Sequence, residues 1–310
     1  MKTLGIDTSN YTTSASVCTD GVITENIRIP LPVAKGGVGL RQSDAVFAHI
    51  KNIPIAMNEL KCDLSDISAV GVSARPRDAE GSYMPCFLAG VATASAIARS
   101  LNVPLFEFSH QAGHMRAAEY SSNAELGERF YAYHLSGGTF ELLQVDKIDN
   151  GYDVQIIGGT KDITAGQLID RVGVKLGLDF PCGRHLQALA DEYTGKLPKP
   201  KICVNGLYCN MSGGENLCEN LISSGTEKSY ICAFLTEFIR STLEKMTDEL
   251  VKKVGKCDIL FSGGVASNTT LSDFMRNKYG AYCAEAQFSQ DNGAGIALLC
   301  MDKINAYKKR

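Results

Sequence analysis

Two histidines stand four residues apart in the stretch Ser109-His110-Gln111-Ala112-Gly113-His114. The apolar run Val103–Phe108 before it reads as a strand, and Met115–Glu119 after it reads as helix. Ser109 falls where a helix N-cap belongs. The spacing therefore predicts both imidazoles on one helix face. There they can share one metal ion, as other helical two-histidine sites do. Two imidazoles leave the coordination incomplete, so a third ligand has to come from elsewhere in the chain. The plainer alternative is a polar surface pair, or one histidine hydrogen-bonded in the core. The chain has only 5 histidines, and two of them fall here.

Other residues suggest phosphate chemistry. Two predicted strands end in Ser-Gly-Gly, at Ser136-Gly137-Gly138 and at Ser262-Gly263-Gly264. Glycines after a strand free the turn and let backbone N–H groups approach a phosphate closely. A hydroxyl-rich turn, Asp7-Thr8-Ser9-Asn10-Tyr11-Thr12-Thr13, can present similar donors. Each signal alone is common in proteins. Together they predict a nucleotide held between two lobes.

The elements that must position these residues follow from pattern. Thr3–Asp7, Ser14–Cys18 and Val22–Ile29 read as three strands, with Asp20-Gly21 as a hairpin turn. Lys35–Gly39 reads as a glycine-rich loop, and Ser43–Leu60 as a helix that Pro54 interrupts or ends. Ile67–Ser73 is a buried strand, Arg75–Ser82 a charged loop, and Pro85–Leu101 a small-residue helix. Strands follow at Phe130–Leu135, Phe140–Val145 and Val154–Gly158, then helices from Thr164 and after Gly183. Tyr230–Val254 is one long helix, Asp258–Phe261 a strand, and the last helix follows Asp291-Asn292-Gly293.

At 310 residues the chain is long for a single core, which predicts two domains or one two-lobed fold. No apolar run reaches membrane-span length and no signal peptide is evident, so a cytoplasmic protein is expected. Its 11 cysteines include no Cys-x-x-Cys pair, so a zinc ribbon or thioredoxin-like site is not expected. Cys203, Cys209 and Cys218 form a loose group with a redox or metal role as one option. The net charge of −3 lacks the basic surplus usual for nucleic-acid binding, so any action on RNA needs a local basic face or a partner. Lys252-Lys253 and Lys308-Lys309-Arg310 read as solvated helix ends.

Taken together, these motifs resemble the TsaD-type tRNA threonylcarbamoyladenosine transferases, the family also called glycoproteases. The matching segments run in family order from Leu4-Gly5-Ile6-Asp7-Thr8-Ser9 to Asp291-Asn292-Gly293. Between them lie the histidine pair, Ser136-Gly137-Gly138, Ala165-Gly166 with Asp170, Pro181-Cys182-Gly183 and Gly263–Asn268. The resemblance implies an actin/hexokinase/Hsp70-like (ASKHA) fold with a nucleotide/metal cleft between its lobes. It implies one lobe over 1–106 plus 292–310 and the other over 107–291. His110, His114 and Asp291 are implied as ligands of iron or zinc. His134, Leu135, Ser136, Gly137 and Gly138 are implied to hold the phosphate of ATP or a carbamoyl-adenylate. Asp170 and Gly183 are implied on the ribose side, Asn268 near base or ribose, and Ser9 as a phosphate contact. No catalytic base is assigned.

The implied function is transfer of a threonylcarbamoyl or related carbamoyl group from an adenylate to an acceptor, adenosine 37 of tRNA in the family. Family members work in complexes, so protein partners are expected. Several positions depart from the family pattern. Two acidic residues of the first loop are replaced by Tyr11 and Thr12. Thr139 stands for histidine, Gln167 for glutamate, Arg184 for a small residue or proline, and Arg75-Pro76-Arg77-Asp78 for a Gly-Pro-Gly-type loop. These changes are the pattern of a paralogue with an altered substrate or lost transfer. A non-catalytic, nucleotide-binding regulatory paralogue is therefore the alternative, ahead of another ATP-dependent enzyme of the superfamily. A protease is weakest, since no His-Glu-x-x-His signature occurs.

Overall fold

A computed structural model describes residues 1–9, 11–32, 40–148, 151–289 and 291–308. The loop expected at Lys35–Gly39 and the basic end at 309–310 lie outside the described residues. The chain divides into two compact units. The first is Met1–Ser121, Lys147–Asp153 and Gln290–Arg310; the second is Ser122–Asp146 and Val154–Ser289. The boundary expected at 106 is thus corrected. The helix bearing the histidine pair, and Asp291, belong with the first unit. They do so because that helix packs on the final helix of the chain.

The first unit is built on β1 (Lys2–Asp7), β2 (Thr12–Thr19), β3 (Val22–Pro30), β4 (Ile67–Arg75) and β5 (Leu105–Ser109), in the order β3-β2-β1-β4-β5. The first three are antiparallel, with β2 and β3 joined by the predicted Asp20-Gly21 turn, where both φ angles are positive. β4 and β5 run parallel to β1. Alternation along the strands splits the two faces. On one side Leu4, Ile6, Val70 and Val72 pack with Ala94 and Ala98 of α2 (Phe87–Leu101). On the other side Gly5 and Gly71, paired in register, lie under α9 (Ala294–Lys308). α1 (Gln42–Glu59) runs unbroken through Pro54. Proline there removes only one backbone hydrogen bond, and the buried Ala45, His49, Ile53 and Ala56 hold the helix on both sides of it.

α3 (His110–Ser121) meets α9 backbone to backbone. A Cβ on Gly295 would overlap the carbonyl of Gly113, and one on Gly5 would overlap the backbone at Ala297 and Gly293. Side chains at these points would push α9 off both α3 and β1.

The second unit carries β6 (Arg129–Leu135), β7 (Phe140–Ile148), β8 (Gly151–Thr160), β9 (Cys203–Asn205), β10 (Tyr208–Asn210), β11 (Ile259–Ser262) and β12 (Tyr282–Cys283). Their order is β12-β11-β6-β7-β8-β10-β9. As in the first sheet, the leading strand is central, with its antiparallel partner β7 on one side and the parallel β11 and β12 on the other. Helices α4 (Ala165–Lys175), α5 (Gly183–Asp191), α6 (Ser212–Ser223), α7 (Lys228–Val254) and α8 (Thr269–Tyr279) complete it. α7 is the core helix: Leu235, Phe238, Leu243, Met246 and Leu250 are all fully buried. Each such side chain contributes about 1.5–3 kcal/mol by leaving water. Among the described residues, no helix is long and apolar enough to cross a membrane.

Gly295→Ala is expected to destabilise the protein by about 1–3 kcal/mol or more through overpacking. A thermal melt should show a clear fall in Tm. Gly213→Ala, where an added Cβ meets nothing within 4 Å, is expected to stay within about 0.5 kcal/mol.

Candidate metal centre and strand-end turns

The first residues of α3 are fixed by a relay of short polar contacts. Ser109 Oγ accepts the Ala112 N–H at 3.2 Å, which is the predicted N-cap, and donates to Asp78 Oδ2 at 2.5 Å. Asp78 also pairs with Arg75, and the Gln111 N–H donates to the Pro76 carbonyl. The Arg75–Ser82 loop is therefore fastened to the start of the histidine helix. Asp291 arrives from the other direction, three residues before α9, whose first turn is capped by Asn292.

These elements bring three ligand atoms to one point. His114 Nε2 lies 2.9 Å from His110 Nε2 and 3.2 Å from Asp291 Oδ1, and the third edge is 3.3 Å. Bare lone pairs of two imidazoles cannot face each other at such a distance, so a proton or a cation has to lie between them. Ligands at about 2.0–2.1 Å from a metal stand about 3.3 Å apart in a tetrahedron and about 2.9 Å apart as octahedral neighbours. The three residues fit a divalent cation on this test. Among the described residues this is the one group of histidine, cysteine and acidic side chains that could hold a metal. The side chains are 12, 11 and 21 % exposed, so the group is shielded yet open on one side.

The electrostatics are those of a tightly paired cluster. Burial opposes a charged His110, but the Asp7 and Asp291 carboxylates outweigh it and push the imidazole up to about 10. Burial would likewise raise Asp291, yet hydrogen bonds from His110 and His114 hold it far below the usual carboxylate range. His110 Nδ1 meets Asp7 Oδ2 at 2.9 Å. Ser9, expected at a phosphate, is fully buried here, with Oγ 3.5 Å from His110 Nε2.

In the second unit both Ser-Gly-Gly turns lie at the ends of adjacent parallel strands, since Ser262 pairs with His134. Ser262 Oγ donates to the Tyr133 carbonyl, and Gly263 takes a φ of 97° against the end of β6, where a Cβ would overlap Leu135. Ser136 Oγ accepts the N–H groups of Gly138 and Thr139, which holds the first turn in a tight loop. Thr164 Oγ1 donates to the Gly137 carbonyl at 2.8 Å, and Gly166 presses on Ser136 and Gly137. Asp170 accepts the Cys182 N–H at 2.8 Å, which places it beside Gly183. Asn268 Oδ1 caps α8 through the Leu271 N–H, leaving only its amide group for a ligand. The cysteine trio is not a site: Cys203 is exposed, while Cys209 and Cys218 are buried thiols, each pushed up to about 12 by burial.

A family model described as TsaD: tRNA N6-adenosine threonylcarbamoyltransferase matches residues 39–298. The chain belongs to the TsaD family. Among solved structures, HypF from T. kodakarensis is similar at a TM-score of 0.61 and 13% identity, over 99% of this chain and 48% of that one. The Acidaminococcus fermentans (R)-2-hydroxyglutaryl-CoA dehydratase component A is similar at 0.58 and 17%, over 98% and 99%. The Clostridium difficile activator of 2-hydroxyisocaproyl-CoA dehydratase, with bound ADPNP, is similar at 0.55 and 14%, over 100% and 97%. At these identities the likeness establishes the fold, which is the two-lobed actin/hexokinase-like α/β class.

The departures from the TsaD pattern have structural accounts. Gln167 completes a capping box with Thr164, a job a glutamate side chain would do equally well. The substitution therefore removes a charge without altering the helix start. Thr139 closes the first Ser-Gly-Gly turn through its N–H, which any residue supplies. Sequence reasoning missed Asp7 and Ser73 beside the histidines. The available signal was a carboxylate directly following the apolar run Leu4-Gly5-Ile6 of a buried strand.

Full-length protein purified without oxygen is expected to carry iron or zinc near one equivalent. The His110→Ala/His114→Ala and Asp291→Asn variants are expected to lose it. Elemental analysis checks both.

Proposed function

We propose that this TsaD-family chain is a metal- and nucleotide-binding transferase acting on a threonylcarbamoyl or related carbamoyl group carried by an adenylate. The acceptor we propose is adenosine 37 of tRNA. The observation that carries the reading is the triangle of His110, His114 and Asp291 in a chain whose family is described by that activity. A relic with no ligand to bind would have no use for two imidazoles and a carboxylate aimed at one point.

In the proposed reaction the acceptor amine attacks the carbamoyl carbon. A C–N bond forms, the bond from that carbon to the phosphate oxygen breaks, and AMP leaves with the amine proton going to its phosphate or to water. A bound divalent iron or zinc would supply Lewis-acid polarisation of the carbonyl. His110, His114 and Asp291 would hold it. The backbone N–H groups of the strand-end turns at Gly137 and Gly264 would bind the adenylate phosphate, with Gly138 held in the turn by Ser136. Asp170, Gly183 and Asn268 would hold the nucleoside. The ADPNP bound to the similar dehydratase activator supports this use of the fold. With a net charge of −3, a local basic face or protein partners would have to supply the basic surface for tRNA.

A second reading is favoured by Gln167, Tyr11 and Thr12, which remove negative charge where the family has it and leave the fold intact. In that reading the chain binds nucleotide and regulates a transferase or its partners without catalysing transfer.

Threonylcarbamoyl-adenylate and unmodified tRNA, incubated with the metal-loaded protein and candidate partners, should yield the modified nucleoside on mass analysis. Yield absent with nucleotide binding retained would favour the regulatory reading. A Cβ on Gly137 meets nothing within 4 Å, so Gly137→Val is expected to keep the wild-type Tm. It should weaken adenylate or ATP binding at least about tenfold by filling the phosphate space, as calorimetry would show.

A further inference from the structure

We propose that Asp7 is a positioning residue that fixes His110 as an Nε2 ligand. The proposal rests on the reading of the His110–His114–Asp291 triangle as a metal centre. Asp7 ends β1 and is 1 % exposed. Three donors converge on its carboxylate. Ser73 Oγ donates to Oδ1 at 2.5 Å, and the Ser9 N–H donates to Oδ1 at 3.0 Å. His110 Nδ1 lies against Oδ2 at 2.9 Å. Buried and engaged through both oxygens, Asp7 is held in one place against the imidazole.

Its effect is on the imidazole. A carboxylate has no donor to offer, so it demands a proton on Nδ1. That leaves the Nε2 lone pair for the point where His114 Nε2 and Asp291 Oδ1 meet. The hydrogen bond also stops ring rotation, holding Nε2 within the triangle. Ser73, on the neighbouring strand β4, holds the carboxylate in turn and so acts on the histidine at one remove. Ser9 extends the same chain of contacts into the first turn.

Asparagine cannot replace Asp7 here. Its amide offers one acceptor and one double donor where the site needs acceptors at both ends. Placed with N–H toward His110, it demands a bare Nδ1 and therefore a protonated Nε2. Placed the other way, it sets N–H against the Ser9 N–H. The first orientation disfavours metal binding through Nε2, and the second keeps the tautomer only with a buried N–H to N–H clash that loosens the hold on the ring.

The test is titration of full-length protein with Co²⁺ and Zn²⁺, comparing wild type with Asp7→Asn, Ser73→Ala, Asp7→Asn/Ser73→Ala and His110→Ala. Asp7→Asn is expected to weaken affinity by about 10–100-fold and to change the visible Co²⁺ spectrum. Ser73→Ala should do so more weakly, and the double variant should be no worse than Asp7→Asn alone. Wild-type affinity and spectrum in Asp7→Asn, with binding abolished in His110→Ala, would overturn the positioning role and leave the metal reading standing. If His110→Ala also bound metal as wild type does, the metal reading would fall and this proposal with it. Should Asp7→Asn not fold, as circular dichroism would show, Ser73→Ala decides: an unchanged affinity and spectrum overturns the proposal.

Discussion

The close approach of α9 to α3 and β1 is the constraint on which the His110–His114–Asp291 cluster depends. It exists because Gly5, Gly113 and Gly295 present no side chain where the backbones meet. Helix axes separated by ordinary side chains lie about 8–10 Å apart. Here the smaller separation brings Asp291, three residues before α9, within reach of the first turn of α3. Asp291 can then meet His110 and His114 although 177 residues separate it from His114. The specificity of the site thus begins with atoms that are absent.

The charges gathered there explain why the surroundings are so fully hydrogen-bonded. An isolated buried carboxylate is costly, and breaking a buried ion pair costs several kcal/mol. Asp7 is tolerated because Ser73, Ser9 and His110 satisfy it. The second unit uses a different economy. Its Ser-Gly-Gly turns are held by neutral contacts from Thr164, Gly166, Ser136 and Ser262, with no buried charge in the turns themselves.

Much of this was legible in the chain. The helix spacing of His110 and His114 and the Ser109 cap could be read from local pattern, because both obey rules that act within one turn. The strands and the long helix α7 followed from periodicity for the same reason. Asp291 was reachable only through the family resemblance, since no local rule links residues so far apart. Asp7 went unread because its partners lie on β4 and α3, and strand pattern alone does not show which neighbours a terminal carboxylate meets. Pro54 was misjudged because burial of the flanking residues outweighs one missing hydrogen bond. The boundary at 106 came with the family resemblance, whereas α3 lies in the first unit here because it packs on α9.

The first unit is assembled from three separated stretches, with the second unit inserted between them. A ribosome delivers these stretches in order, and domains tend to fold as they emerge. The second unit is complete in the nascent chain before residue 291 has been added. The histidine helix, made far earlier, has to wait for both its carboxylate and its packing partner α9. The three-residue cluster can therefore assemble only once Asp291 and α9 have been added, and a chain stalled short of Asp291 would present two histidines without their carboxylate.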